Sequence, residues 1–292
     1  GFFSDYKLLF KNSNTDAKNS NLYKNKENYY LSSLVQFNSS LPLKKNSKNY
    51  ERLLNPRISL RLAPSHTKDH RSEYTKLDIN NLYSIDRIQK KESIEGGASL
   101  TYGNEFSINN KRNNLKIFDF KIANNLRLNE NKDVTAGGQL GKKVSSILSE
   151  ISVKPNKFIS IDYNSSIKNN LDDVNYENLI TEFNLNNILK INFDYLNHNE
   201  TSGDVGSYLS HKTSFLIDDK NQLSFSTRRN KKINLTEYYN LAYEYEDDCF
   251  SASIEYNKEF YQDRDLKPNN SLFLKFSIIP TKSKNRYSEL FN

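Results

Sequence analysis

Five stretches of this sequence hold residue types whose spacing could do chemistry. His66 and His70, in HTKDH, stand four apart with Asp69 between them. On a helix such a pair could bind a metal. Here the surroundings read as a loop and no third ligand is evident, so no metal is expected. Asp247 and Asp248 could suggest acid–base work, but adjacent residues in a strand or turn point apart, which leaves a plain acidic turn. EGGASLTYG, residues 95–103, lacks the glycine spacing and following helix of a phosphate loop. Its glycines fit close strand packing or a bend. RRNKK, residues 228–232, is a basic cluster. Its Arg228, Arg229, Lys231 and Lys232 could hold lipid phosphates, or form a soluble charged loop. Cys249, the only cysteine, follows three acids. No nucleophile–base pair and no cofactor fingerprint appear, so neither an enzyme nor a cofactor is expected.

The composition narrows the class. Of 292 residues 36% are hydrophobic, yet 12% are aromatic, with 19 Tyr and 17 Phe. No apolar run approaches the length of a transmembrane helix. The net charge of +7 suits an anionic partner or reflects a Lys/Asn-rich coding bias, and nucleic acid is not an expected partner. Met is absent, so the chain reads as a piece of a longer protein, any export signal lying outside it.

The elements that would position such residues are strands. Apolar and polar residues alternate with period 2 in 94–108, 159–164, 189–196 and 271–278, and Arg57, Ser59 and Arg61 alternate with Ile58, Leu60 and Leu62. Fourteen strands are expected, near 2–11, 29–43, 56–63, 93–108, 115–127, 145–154, 158–167, 176–186, 188–197, 206–217, 222–229, 235–246, 250–261 and 271–279. From residue 64 onward long links alternate with short ones, and only the link 44–55 is long where a short one is expected. Such sorting marks an antiparallel up-and-down transmembrane β-barrel, with short turns on one side and longer loops on the other. Many strands have the roughly 9–11 residues that cross a bilayer when tilted. Tyr and Phe at strand ends, such as Tyr29, Tyr30, Tyr238, Tyr239, Phe260 and Tyr261, suit interfacial girdles, although aromatics also favour strands in general. The apolar face would meet lipid and the Ser/Asn/Lys/Glu face a wet lumen.

Four segments carry a family resemblance: NPRISLRLAPS (55–65), NLYSIDRI (81–88), IEGGASLTYGNEFSI (94–108) and LAYEYEDDCFSASIEYNKEFYQDRDLKPNNSLFLKFSI (241–278). In this order they resemble the carboxy-terminal barrel of the lipopolysaccharide-assembly family LptD, also called organic solvent tolerance protein. The specific parts are the motif Asp86–Arg87–Ile88 and the block from Glu246 to Pro268. The resemblance implies an outer-membrane protein that inserts lipopolysaccharide into the outer leaflet through a laterally opening barrel. It implies an LptE-like lipoprotein plug and a periplasmic bridge protein that delivers lipopolysaccharide to a jelly-roll domain. That domain and the first barrel strands are expected to be missing here, so 1–279 would be the closing part of the barrel, a partial barrel of about fourteen strands, and 280–292 a polar tail. Cys249 would pair with an upstream cysteine. The last strand would line the lateral exit, with Leu272, Leu274, Phe276 and Ile278 towards acyl chains and Ser271, Phe273, Lys275 and Ser277 towards the lumen. Lys275 would meet lipid phosphates. A porin-like diffusion channel or plugged uptake receptor is the alternative, and a soluble β-rich adhesin a third.

Overall fold

The computed structural model describes residues 1–16, 18–19, 27–73, 75–199, 206–260 and 268–278. The expected tail 280–292, Ile279 and most of the motif block after Tyr261 lie outside these residues. The chain is all-β, with β1 (Phe3–Thr15), β2 (Asn28–Ser40), β3 (Leu43–Asn46), β4 (Tyr50–Ala63), β5 (Gly97–Asn110), β6 (Leu115–Arg127), β7 (Ile147–Asn156) and β8 (Ile159–Ile167). There follow β9 (Val174–Leu185), β10 (Leu189–His198), β11 (Gly206–Leu216), β12 (Asn221–Asn230), β13 (Leu235–Glu246), β14 (Phe250–Glu259) and β15 (Asn270–Ile278). Fourteen of them are hydrogen-bonded in chain order in one sheet, and β3 pairs β4 beside that path. The pairs β1–β2, β2–β4, β3–β4, β4–β5, β5–β6, β6–β7, β11–β12, β12–β13, β13–β14 and β14–β15 are antiparallel.

Two expected boundaries are corrected. The link 44–55 is no exception to the alternation. Pairing of β2 with β4 and of β3 with β4 keeps one register, from Val35↔Leu62 to Asn46↔Glu51. The break between β2 and β3 falls where Pro42 and Pro56, which have no N–H, deprive the ladder of donors. The true connection is the tight turn 47–49, closed by the Ser47 N–H donating to Tyr50 O at 2.8 Å. The fifth strand begins at Gly97 rather than residue 93. Gly97 has a φ of +92°, a conformation that glycine adopts without strain, and it turns 93–96 away from the strand.

The chain divides into two compact units. Unit 1 comprises Gly1–Pro155, Asp162–Asn178 and Asn197–Val205. Its turns 47–49 and 111–114 meet at one end, where the Lys111 N–H donates to Asn49 O at 2.9 Å. Its long links 64–96 and 128–146 meet each other through the bridges His70↔Val134 and Lys76↔Gln139. Unit 2 comprises Asn156–Ile161, Leu179–Leu196 and Gly206–Asn292. Its turns follow local sequence: Asn186, Asn187 and Asn234 take positive φ, which Asn tolerates better than most residues, and a consecutive positive pair makes the turn that suits a twisted hairpin.

The side chains are inverted relative to a water-soluble sheet. In β4, Ile58, Leu60 and Leu62 are 40%, 49% and 59% exposed, while Ser59 and Arg61 between them are 0% and 4% exposed. In unit 2, Leu209, Phe215, Leu223, Leu241 and Ile254 are likewise exposed. An apolar outer surface of this extent is costly in water and favourable in lipid.

Candidate functional site

The first long link folds because its own polar residues close a turn. Asp78 Oδ1 accepts from the N–H groups of Asn80 and Asn81, both at 2.9 Å. Asn81 answers by accepting from the Asp78 N–H at 3.0 Å and donating to Lys76 O at 2.7 Å. Such side-chain-to-backbone bonds stabilise turns in place of helix or sheet. Once turned, the link buries Leu77, Leu82 and Ile88 with Val134 and Leu140 of the second link, against Ala123 of β6 and Leu148 of β7. A smaller cluster joins Ile94 to Leu34 and Ala63. The apolar core of unit 1 is therefore made largely by its links, on the polar side of the strands.

A charged cluster fastens the link to that side. Glu95 sits among Arg61 of β4, Arg127 of β6 and Arg87 of the link. Arg87 Nε donates to Glu95 Oε2 at 2.7 Å, Arg127 Nη1 donates to Oε1, and Arg61 Nη1 lies 3.6 Å from Oε2. The side chains of Arg87 and Glu95 are 0% and 2% exposed. Every guanidinium has further work. Arg87 donates to Asn125 Oδ1 at 2.9 Å and Ser99 Oγ at 3.1 Å. Arg61 donates to the carbonyls of Ser84 and Ile85 at 2.9 and 2.8 Å, and Arg127 to Gly96 O at 2.5 Å. Burial alone would raise the Glu95 carboxyl, but Arg87, Arg61 and Arg127 outweigh it and hold the group at about 2.

The motif 86–88 is thus one fastening in three parts. Lys11 of β1 donates to Asp86 Oδ2 at 2.6 Å and to the carbonyls of Lys90 and Ser93 at 2.5 and 3.0 Å. Arg87 enters the charged cluster, and Ile88 enters the apolar core. Next to it, burial pushes the Tyr83 phenol up to about 12, and the Arg57 guanidinium stacks 4.3 Å from its ring centre. The motif was visible in sequence, whereas its partners Lys11, Arg61, Glu95 and Arg127 were not. The available signal was charged residues on the polar parity of strands that end at long links.

The remaining residues singled out in the sequence stand apart from this cluster. Among the described residues β15 pairs only with β14, from Lys258↔Asn270 to Phe250↔Ile278. Leu272, Leu274, Phe276 and Ile278 are between 60% and 80% exposed. Ser271, Phe273, Lys275 and Ser277 occupy the alternate positions. Lys275 Nζ is 2.5 Å from Glu255 Oε2, and Asn240 donates to Glu255 Oε1 at 2.6 Å, so this cation already has a carboxylate partner. Arg228 pairs with Glu237 and lies 5.2 Å over the Tyr208 ring. Arg229 donates to Asn234, and Lys231 lies 4.9 Å over the Tyr195 ring. Lys232 sits in the same turn, its N–H donating to Asn230 Oδ1 at 3.1 Å.

Cys249 is an exposed free thiol in the turn after β13. With one cysteine, the chain holds no internal disulfide. Beside it the Asp248 N–H and Lys220 hold Asp247 below the usual carboxylate range, the behaviour of a hydrogen-bonded turn. His70 is buried, with Nδ1 3.6 Å from Glu73, while His66 O accepts from the Tyr30 hydroxyl.

A family model described as LptD, LPS transport system D, matches residues 4–213. No curated protein matches the sequence. Among solved structures, a chain titled "Asymmetric conductivity of engineered proteins" is 8% identical, with a TM-score of 0.34, covering 95% of this chain and 99% of that one. A triple mutant of the Rhodopseudomonas blastica porin is 8% identical, with a TM-score of 0.33, covering 95% of this chain and 98% of that one.

Proposed function

The chain belongs to the LPS transport system D (LptD) family, and from that premise we propose that it is the closing part of an outer-membrane barrel that passes lipopolysaccharide to the outer leaflet. Transport of lipopolysaccharide is the family's business, and the all-β antiparallel fold fits an outer-membrane barrel. The observation that carries the reading, beside the family match, is the inverted burial: an apolar outer face suited to lipid and an inner face of Ser, Asn, Lys and Arg suited to sugars and phosphates.

In this reading β15 borders the lateral exit. Its single partner strand supports that role, since an edge inside a bilayer must pair with something. Leu272, Leu274, Phe276 and Ile278 would follow the acyl chains, and Ser271, Phe273, Lys275 and Ser277 the headgroup. Lys275 would exchange Glu255 for a passing phosphate. Arg228, Arg229, Lys231 and Lys232 would meet outer-leaflet phosphates. The jelly-roll domain, upstream of this chain together with the first barrel strands, would receive lipopolysaccharide from the periplasmic bridge, with an LptE-like lipoprotein in the lumen. Cys249 would be oxidised to an upstream cysteine, which an oxidising periplasm permits. The links fastened by Asp86–Arg87–Ile88 would close part of the lumen permanently.

Depleting the protein from its own cells tests the reading. Newly made lipopolysaccharide should stop reaching the surface and accumulate on the inner side. Normal surface lipopolysaccharide with reduced uptake of small solutes would favour a diffusion channel instead.

A further inference from the structure

A crevice of about 220 Å³ lies between residues 76–80 of the first link and the polar side of β7, β8 and β9. One wall is prebuilt by the Asp78–Asn81 turn and by the Leu77 N–H donating to Gly138 O at 2.8 Å. The other wall carries Leu148, Ser166 and Tyr176. Ser166 is 2% exposed, and its Oγ has no hydrogen-bond partner in the protein. Leaving such a group unpaired is costly, so the crevice is built to receive a polar atom. Leu148 supplies an apolar patch, and at the side the Lys76 ammonium sits 3.0 Å over the Tyr176 ring.

An unpaired hydroxyl beside an apolar patch, with one cation at the side, matches a ring that carries hydroxyls on its edge and C–H groups on its faces. The volume falls below the ~300 Å³ at which drug-sized pockets begin, which suits one sugar ring. We propose that this crevice is a subsite for a single sugar ring of lipopolysaccharide, with Ser166 meeting a ring hydroxyl and Lys76 an anionic substituent. The proposal rests on the transport reading above and names the part of the substrate that this face holds.

The test offers glucosamine 1-phosphate to the full-length protein in detergent micelles, with glucosamine and inorganic phosphate as separate arms and saturation-transfer NMR as readout. Saturation should reach the ring protons of both sugars, and inorganic phosphate should not displace glucosamine. Ser166→Ala should weaken binding of both sugars by about tenfold, the cost of one hydrogen bond. Lys76→Gln should weaken glucosamine 1-phosphate only. Ser166→Val, which puts a methyl where the hydroxyl stood, is the second variant, and an unheated gel checks that each variant keeps its compact form. Displacement of glucosamine by inorganic phosphate would overturn the proposal, as would binding unchanged in both serine variants. Absent probe binding by the wild-type protein overturns the subsite alone, because the transport reading falls only on the depletion result.

Discussion

Units 1 and 2 share one strand pattern and differ in what covers the polar side. In unit 1 two folded links lie against it, and Ser59, Arg61, Ser99, Thr101 and Asn125 are buried beneath them. Among the described residues every buried apolar side chain belongs to unit 1, and of the buried polar ones only Glu237 belongs to unit 2. The outward side is alike in both, with Ile58, Leu60 and Leu62 in one and Leu272, Leu274 and Phe276 in the other. Burial in this protein is thus made by links and not by strands packing on strands. Unit 1 fills its polar side with its own chain, and unit 2 leaves it bare among the described residues.

The comparison is sharpened first by removing the charge that holds the first link. Glu95→Leu leaves three buried guanidinium groups without their carboxylate, a change that costs about 3–5 kcal/mol. The denaturant midpoint should fall accordingly and protease should cut within 64–96. Acid should do the same reversibly. Glu95 is held at about 2 in the folded protein, below its ordinary ~4.3. Its stabilisation is therefore complete above about pH 5 and is lost as the pH falls through 4 towards 2. Pepsin cleavage in 64–96 should begin across that window, ahead of cleavage in 206–259, and Glu95→Leu should abolish the pH dependence.

Smaller effects follow. Ile88→Ala empties a site between the two links and should cost about 2–5 kcal/mol by the same denaturant assay. Gly103→Ala adds a Cβ only 2.8 Å from the Tyr83 hydroxyl, with the Ile122 carbonyl nearer still, and should cost about 1–3 kcal/mol. Lys275→Ala breaks an exposed pair in unit 2 and should change stability by no more than about 1 kcal/mol. A loss there as large as that of Glu95→Leu would break the comparison.

The division between legible and illegible residues has a physical cause. Alternation at 94–108, 189–196 and 271–278 reveals strands because the pleat repeats every two residues and both faces have distinct solvents. The link 64–96 shows no period. Its fold depends on Asp78 and Asn81 closing a turn and on Arg87 finding Glu95 eight residues on, with Arg61 and Arg127 from two strands. Such contacts are set by tertiary placement, which residue type alone does not announce. The misread link 44–55 has a local cause: two prolines one register step apart interrupt a ladder whose register continues on both sides. Gly97 likewise ended a strand that the alternation carried four residues too far.

The central claim is that lipopolysaccharide travels over the polar side that the links leave bare and departs at β15. Phe273 and Phe276 occupy opposite parities of that strand, and Tyr83 lies in the first link, so a photo-cross-linking p-benzoylphenylalanine can replace one aromatic residue by another at each. Pulse-labelled lipopolysaccharide in intact cells is then captured by light at successive times. Position 273 should capture newly made molecules early and lose them in the chase, position 276 should capture them later and keep them as part of the surrounding leaflet, and position 83 should stay silent. Capture at 273 that is absent, or that follows the same time course as at 276, would contradict the account.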